Sequence, residues 1–181
     1  MKLREEDVAK LESFLAKIGN DVYPEPPSPV HTDVAEKMVR LVLEKTGLAE
    51  GSKILDVGCG QGVALKLFVD AGCDAQGIAL GEDVQACIDQ GFNVCEMDQS
   101  FLDFPDEAFD LVWSRHCLEH SIMPYFTLSE MSRVLKPGGH CYVEVPTADT
   151  SCMHQNNPNH YSVLGRSMWA TLLQRSGFKI T

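Results

Sequence analysis

The stretch Lys53-Ile54-Leu55-Asp56-Val57-Gly58-Cys59-Gly60-Gln61-Gly62 constrains this chain more than any other. Ile54, Leu55 and Val57 read as a short buried strand, with one carboxylate, Asp56, inside the apolar run. Gly58, Gly60 and Gly62 then turn the chain into a helix. So tight a turn needs residues that accept positive φ, and the missing Cβ lets a ligand come close to the backbone. Free N–H groups at the following helix start favour an electron-rich ligand end. The spacing is not the dinucleotide fingerprint G-x-G-x-x-G, because Val63 stands where its third glycine belongs. Nor is it a P-loop, since Gly-Lys-Ser/Thr occurs nowhere in the chain.

The rest of the chain narrows the function classes. A length of 181 residues suits one domain with a sizeable core. The net charge of -11 argues against nucleic acid as substrate, which needs a basic surface. No apolar run is long enough to span a bilayer, and the N-terminus lacks the apolar segment of a signal peptide. The 7 cysteines are scattered, odd in number and never spaced C-x-x-C. That usage suits reduced thiols, so a cytoplasmic location without membrane association is expected.

Taken in order, residues 4–18 have the spacing of an amphipathic helix that Gly19-Asn20 ends. Pro24-Glu-Pro-Pro-Ser-Pro29 reads as an extended linker. Residues 1–30 are thus expected to be a helix and linker, leading into a main domain over 31–181. A second helix is expected from Asp33 to Thr46, with Asp33 and Glu36 as a capping pair and Gly47 as its stop. His31 then lies in the linker, either solvated or as a lid contact. Strands are expected at 54–57, 75–80, 93–96, 110–114 and 141–145. Helices fill 62–71, 82–90, 126–135 and 166–176, and Lys136-Pro-Gly-Gly139 reads as a sharp turn. Strands alternating with helices imply an α/β fold: a doubly wound, Rossmann-like, mostly parallel sheet with helices on both faces.

The run Asp-x-Gly-x-Gly-x-Gly after an apolar strand resembles motif I of the class I S-adenosylmethionine-dependent methyltransferases. The resemblance extends through Gly77-Ile78-Ala79, Met97-Asp98-Gln99, Leu118-Glu119-His120 and Lys136-Pro137-Gly138-Gly139, and small type 11 methyltransferases are closest in pattern. It implies the strand order 3-2-1-4-5 and S-adenosylmethionine as cofactor. It also implies two further closing strands, of which Phe178-Lys-Ile-Thr181 covers only a beginning. A C-terminally shortened sheet is therefore expected, with the fifth strand's edge open to a homodimer partner.

In such a sheet the ligand lies beyond the carboxyl ends of the strands. The expected cofactor contacts are Asp56, Gly58, Cys59, Gly60, Gly62, Ala79, Leu80, Asp98, Gln99 and Ser114. Asp56 either receives the ligand's ammonium or ties the glycine loop. The family pattern Gly-Ile-Asp would put a ribose-binding acid where Ala79 stands; Glu82 and Asp83 are the replacements within reach, both also suited to a helix's first turn. Asp98 either accepts from the adenine amino group or shapes a loop. His116 is the candidate general base, its other role being a hydrogen-bonding wall residue. The polar connection over 146–164 is expected to cover the acceptor, with His154, His160 and Tyr161 as contacts. Cys152, His154 and His160 match no structural zinc spacing, so no metal is expected. The implied activity is methyl transfer to a small-molecule acceptor. A non-catalytic binding protein on the same fold is the alternative, supported by Ala79 and the shortened C-terminus.

Overall fold

The first strand, β1 (Lys53–Val57), is buried along four of its five residues and lies at the centre of the sheet. A strand covered on both faces needs an unbroken apolar run, and Ile54, Leu55 and Val57 supply it. The computed structural model describes residues 3–19 and 26–181. Around β1 stand β2 (Asp74–Ala79), β3 (Asn93–Glu96), β4 (Phe109–Arg115) and β5 (Leu135–Glu144). All pairings are parallel, in the order β3-β2-β1-β4-β5. Chain order reverses beside β1, and that is where an open α/β sheet leaves a crevice.

Six helices accompany the strands among the described residues: α1 (Glu5–Gly19), α2 (Pro29–Thr46), α3 (Val63–Asp70), α4 (Glu82–Asp89), α5 (Pro124–Val134) and α6 (Arg166–Arg175). They cover both faces. On one face Ile54, Leu111 and Trp113 pack with Phe68 of α3 and Val39 of α2. The Phe68 ring meets Trp113 edge-on at 5.5 Å. On the other, Leu55, Val57 and Val112 pack with Leu128 and Met131 of α5 and Trp169 of α6. None of the described helices is long and apolar enough to cross a membrane.

Two expectations need correction. Helix α2 starts at Pro29, one turn before Asp33. Ser28 is its cap, with Oγ accepting from the His31 N–H at 3.3 Å. Pro29 sits in the first helical turn, where a missing N–H costs nothing. His31 is therefore a helix residue and not part of a linker; Asn20 and Pro24-Glu25 lie outside the described residues. The second correction concerns Lys136–Gly139. It is no separate turn but an irregularity inside β5: Phe109 pairs with Leu135, and Leu111 already pairs with His140. Gly138 takes φ +79° there, and a Cβ on Gly139 would stand 2.9 Å from the Lys136 carbonyl. Beyond α6, residues 178–181 form no strand.

Because Ser28 caps the helix that carries His31, Ser28→Ala should lower stability by about 1 kcal/mol in urea unfolding. An unchanged midpoint would mean that other contacts set the start of α2.

Candidate functional site

At the carboxyl end of β1 the chain passes through Gly58, Gly60 and Gly62 at φ +75°, +50° and +86°. Residues with a Cβ are strained in this region, which is why glycine repeats here. The turn is tied to its neighbour strand. The N–H groups of Gly58 and Cys59 both donate to the Ile78 carbonyl at 3.0 Å. Close packing reinforces the tie: a Cβ on Gly77 would stand 2.7 Å from Cys59 Sγ and from Leu65 Cδ1. A Cβ on Gly60 would meet nothing within 4 Å, because it faces open space. Among the described residues none accepts from the Gly60 or Gln61 N–H.

That space is a cavity of about 480 Å³. Asp56, Gly58, Cys59 and Gly60 form its floor, and Ala79, Leu80 and Asp83 line the side at the end of β2. The end of β3 adds Met97, Asp98, Gln99 and Phe101; the end of β4 adds Arg115, His116 and Cys117. Leu15 and Ile18 of α1, Pro26 and Pro27, and His31 of α2 contribute apolar and ring surface. His120, Asn159 and Tyr161 line the remaining part.

Asp56 is 2% exposed, and its Oδ2 has no hydrogen-bond partner among the described residues. Burial pushes its carboxyl up to about 8, with the nearby Cys87 thiol adding to the rise. Gln99 shows a second unsatisfied oxygen. Its Nε2 donates to the Cys117 carbonyl at 2.9 Å, while its buried Oε1 has no partner. Asp98 is divided: Oδ1 accepts from the Ser100 N–H at 2.7 Å and shapes the loop. That loop is anchored from α5, where Arg133 donates to the Leu102 carbonyl at 2.7 Å and the Phe104 carbonyl at 2.8 Å.

At the β4 end the charges interlock. His116 has φ +51°, and its N–H donates to the Glu144 carbonyl at 2.9 Å. Its Nδ1 lies 3.4 Å from Glu119 Oε1 and its Nε2 lies 3.1 Å from Glu144 Oε1. Hydrogen bonds to Glu119 and then Glu144 raise its pKa to about 9. Burial works against ionisation of Glu144, yet hydrogen bonds from His116 and Tyr142 and the Arg115 charge bring it down to about 2. His31 stacks on His116 at 5.8 Å, and Arg115 Nη1 donates to the His31 carbonyl at 3.4 Å.

The expected site residues divide on this geometry. Asp56, Gly58, Cys59, Gly60, Ala79, Leu80, Asp98, Gln99, His116 and Tyr161 line the cavity, whereas Gly62, Ser114, His154 and His160 do not. A Cβ on Gly62 would meet the Phe92 ring at 2.8 Å, so this glycine serves packing. Ser114 is buried within β4 between Trp113 and Arg115, which both line the cavity; alternation along the strand turns it to the other side. His116 lines the cavity with its imidazole between two carboxyls, an arrangement that favours the protonated ring over the free base. Of the two acids near the β2 end, Asp83 reaches the wall and Glu82 does not. Arg115, His120 and Asn159 are wall residues that the sequence reading did not select. The signal for His120 was present in its position just beyond the strand end.

A carboxyl whose folded value is raised stabilises the protein in its protonated form. For Asp56 that contribution is whole below the unfolded value of about 4 and is lost as the pH climbs toward 8. Asp56→Asn, neutral at every pH, should therefore flatten the fall in stability across this window. Parallel denaturation curves for both proteins at each pH would show the carboxyl to be ionised in the folded state.

A family model described as "Methyltransferase domain" matches residues 30–181. The ubiquinone biosynthesis O-methyltransferase of Methylococcus capsulatus is 33% identical over 109 residues, covering 56% of this chain and 46% of that protein. The chain thus spans about half the length of such relatives. Among solved structures, the [4+2]-cyclase SpnF superposes with a TM-score of 0.69 at 26% identity, covering 96% of this chain and 72% of that one. A SAM-dependent methyltransferase from Archaeoglobus fulgidus superposes with a TM-score of 0.70 at 22% identity, covering 82% and 69%. The sheet order, the glycine turn and the match over residues 30–181 make this chain a member of the methyltransferase-domain family.

Proposed function

We propose that this chain binds S-adenosylmethionine in the cavity and transfers its methyl group to a small-molecule acceptor. The observation that carries this reading is Asp56: a buried carboxyl with one oxygen unsatisfied, on the floor of a cavity behind a glycine turn. A buried polar atom without a partner costs about 1–3 kcal/mol, and a cationic ligand group beside it removes that cost. S-adenosylmethionine fits on this count, since it carries an ammonium, a ribose and an adenine that each need such partners.

When bound, the cofactor supplies a methyl group already activated on a sulfonium. The chain's own residues bind and orient. Asp56 accepts from the ammonium, and the Gly60 and Gln61 N–H groups are open to the carboxylate. Asp83, on the wall beside Ala79 and Leu80, is the acid for the ribose hydroxyls. Asp98 and Gln99 would hold the adenine amino group, and Met97 and Phe101 would supply apolar surface for the ring. Leu15, Ile18, Pro26 and Pro27 exclude water from above. His116, His31, Asn159 and Tyr161 then border the space for the acceptor, and alignment there does much of the catalytic work. Ala79, which favours a non-catalytic relative, is offset in this reading by Asp83 on the wall beside it.

Calorimetric titration with S-adenosylmethionine tests the reading. Binding should release a proton near neutral pH, because the incoming ammonium ionises a carboxyl otherwise held near 8. Heats measured in buffers of different ionisation enthalpy report that proton, and affinity should rise with pH toward 8. Asp83→Asn should weaken binding by roughly ten- to a hundredfold, as the loss of a charged hydrogen bond does. Glu82→Gln should leave it unchanged. Absence of heat and of thermal shift with either the cofactor or S-adenosylhomocysteine would remove the proposal.

A further inference from the structure

Beside the cavity stands a cluster that the proposed cofactor contacts leave without a task. Glu119 and His120 come from the single helical turn Leu118–His120 that follows β4. His160 comes from the connection between β5 and α6. That connection is pinned onto the turn: the Ser162 N–H donates to the Glu119 carbonyl at 2.9 Å, and Ser162 Oγ donates to the Ser121 carbonyl at 2.6 Å. The result brings one ligand atom each of Glu119, His120 and His160 within 4.8 Å of one another.

Two of the three present unsatisfied atoms. The Glu119 side chain is 1% exposed, and its Oε2 has no partner among the described residues. His160 Nδ1 is likewise buried and without a partner, while the Asn157 side-chain amide lies 3.2 Å from the other ring nitrogen. His120 is oriented by its Nδ1, 2.9 Å from the Asn159 carbonyl. A backbone carbonyl at one ring nitrogen fixes the tautomer and leaves the other as a ligand, the arrangement that supports metal-bound histidines. Unpaired buried atoms that converge from separate segments are costly unless something joins them.

We propose that Glu119, His120 and His160 bind a divalent first-row transition ion of the zinc class at the edge of the cavity. Two imidazoles and one carboxylate make a set that keeps a coordination position open. The set differs from the Cys152, His154 and His160 grouping weighed from the sequence: Cys152 is exposed, and His154 stacks on His160 at 5.9 Å without joining the cluster. Because His120 lines the cavity, the open position borders the acceptor space. There the ion acidifies an acceptor hydroxyl, whose proton passes to solvent. The O–CH₃ bond then forms as the S–CH₃ bond breaks and the sulfonium becomes a thioether. This use rests on the proposed methyl transfer; the binding of the ion does not.

The test is a titration of the chelator-stripped full chain with Co²⁺ alone, read by visible absorption, and with Zn²⁺ in competition with a chromophoric chelator. Binding of about one equivalent, with the absorption of a low-coordinate nitrogen and oxygen site, is expected. His160→Ala and His120→Ala should each lower affinity by at least roughly tenfold, and His154→Ala should not. Circular dichroism confirms that each variant folds; His160, in a connecting segment, gives a usable variant even if Glu119→Gln does not fold. No Co²⁺ binding, binding indifferent to His120 and His160, or binding lost equally in His154→Ala would overturn the site. Titrating S-adenosylmethionine into the same stripped protein separates the two readings. Failure there with Co²⁺ binding intact would sink the methyl-transfer reading and leave the ion site standing.

Discussion

The Ile78 carbonyl accepts two N–H groups, from Gly58 and Cys59, and this shared acceptor sets the shape of the cavity floor. The turn leaving β1 is held against β2 instead of arching over the strand ends. Gly77 makes the approach possible, because any side chain there would collide with Cys59 and Leu65. With the turn drawn sideways, Asp56 is left at the strand end, covered by protein yet beside open space. Its raised pKa follows from that position, since burial removes water from the carboxylate and the glycine turn offers it no cation. The Met97 N–H donating to the Ala79 carbonyl at 3.1 Å repeats the device one strand further out. Asp98 and Gln99 are placed by that bond.

The opposite side of the cavity is organised by charge. Arg115, His116, Glu119, Tyr142 and Glu144 meet in one network, with Tyr142 Oη donating to Glu144 Oε2 at 2.6 Å and Arg115 Nε to Glu144 Oε1 at 2.9 Å. The network holds His116 in a left-handed conformation that a non-glycine residue seldom adopts without support. Two carboxyls on one imidazole stabilise its protonated form, which is suited to donating and orienting.

Much of the fold was legible because its signals are local. Gly47, Gly72, Gly91 and Gly177 all take positive φ at the helix ends where the sequence puts them. The alternation of elements pointed to a parallel sheet, and the strand order came only with the resemblance to the methyltransferases. Asp56, Gly60, Asp98 and Gln99 follow directly, since they sit at strand ends. What failed to show depends on relations between segments. Ser114 looked exposed to the ligand because it ends a strand, but the pleat decides which way a residue turns, and Trp113 and Arg115 took the cavity side. Pro29 looked like a helix breaker, although at the start of a helix the same ring is an asset. The His116 environment needed Glu144 from β5, which no spacing in the chain brings near it.

The same contrast separates the two ends of the cavity. The contacts proposed for the cofactor come from residues that follow their strands within a few positions, so β1, β2 and β3 place them with little freedom. The end proposed for the acceptor draws on β4, α2 and the connection after β5, and its geometry depends on hydrogen bonds such as that of Ser162 to Ser121. Short links tolerate little change, because a shifted turn would move Asp56 out of line with Asp98. The longer connection can change length and composition without disturbing the sheet. Relatives with different acceptors should therefore differ first around His160 and Tyr161, while the glycine turn stays constrained by the backbone it must approach.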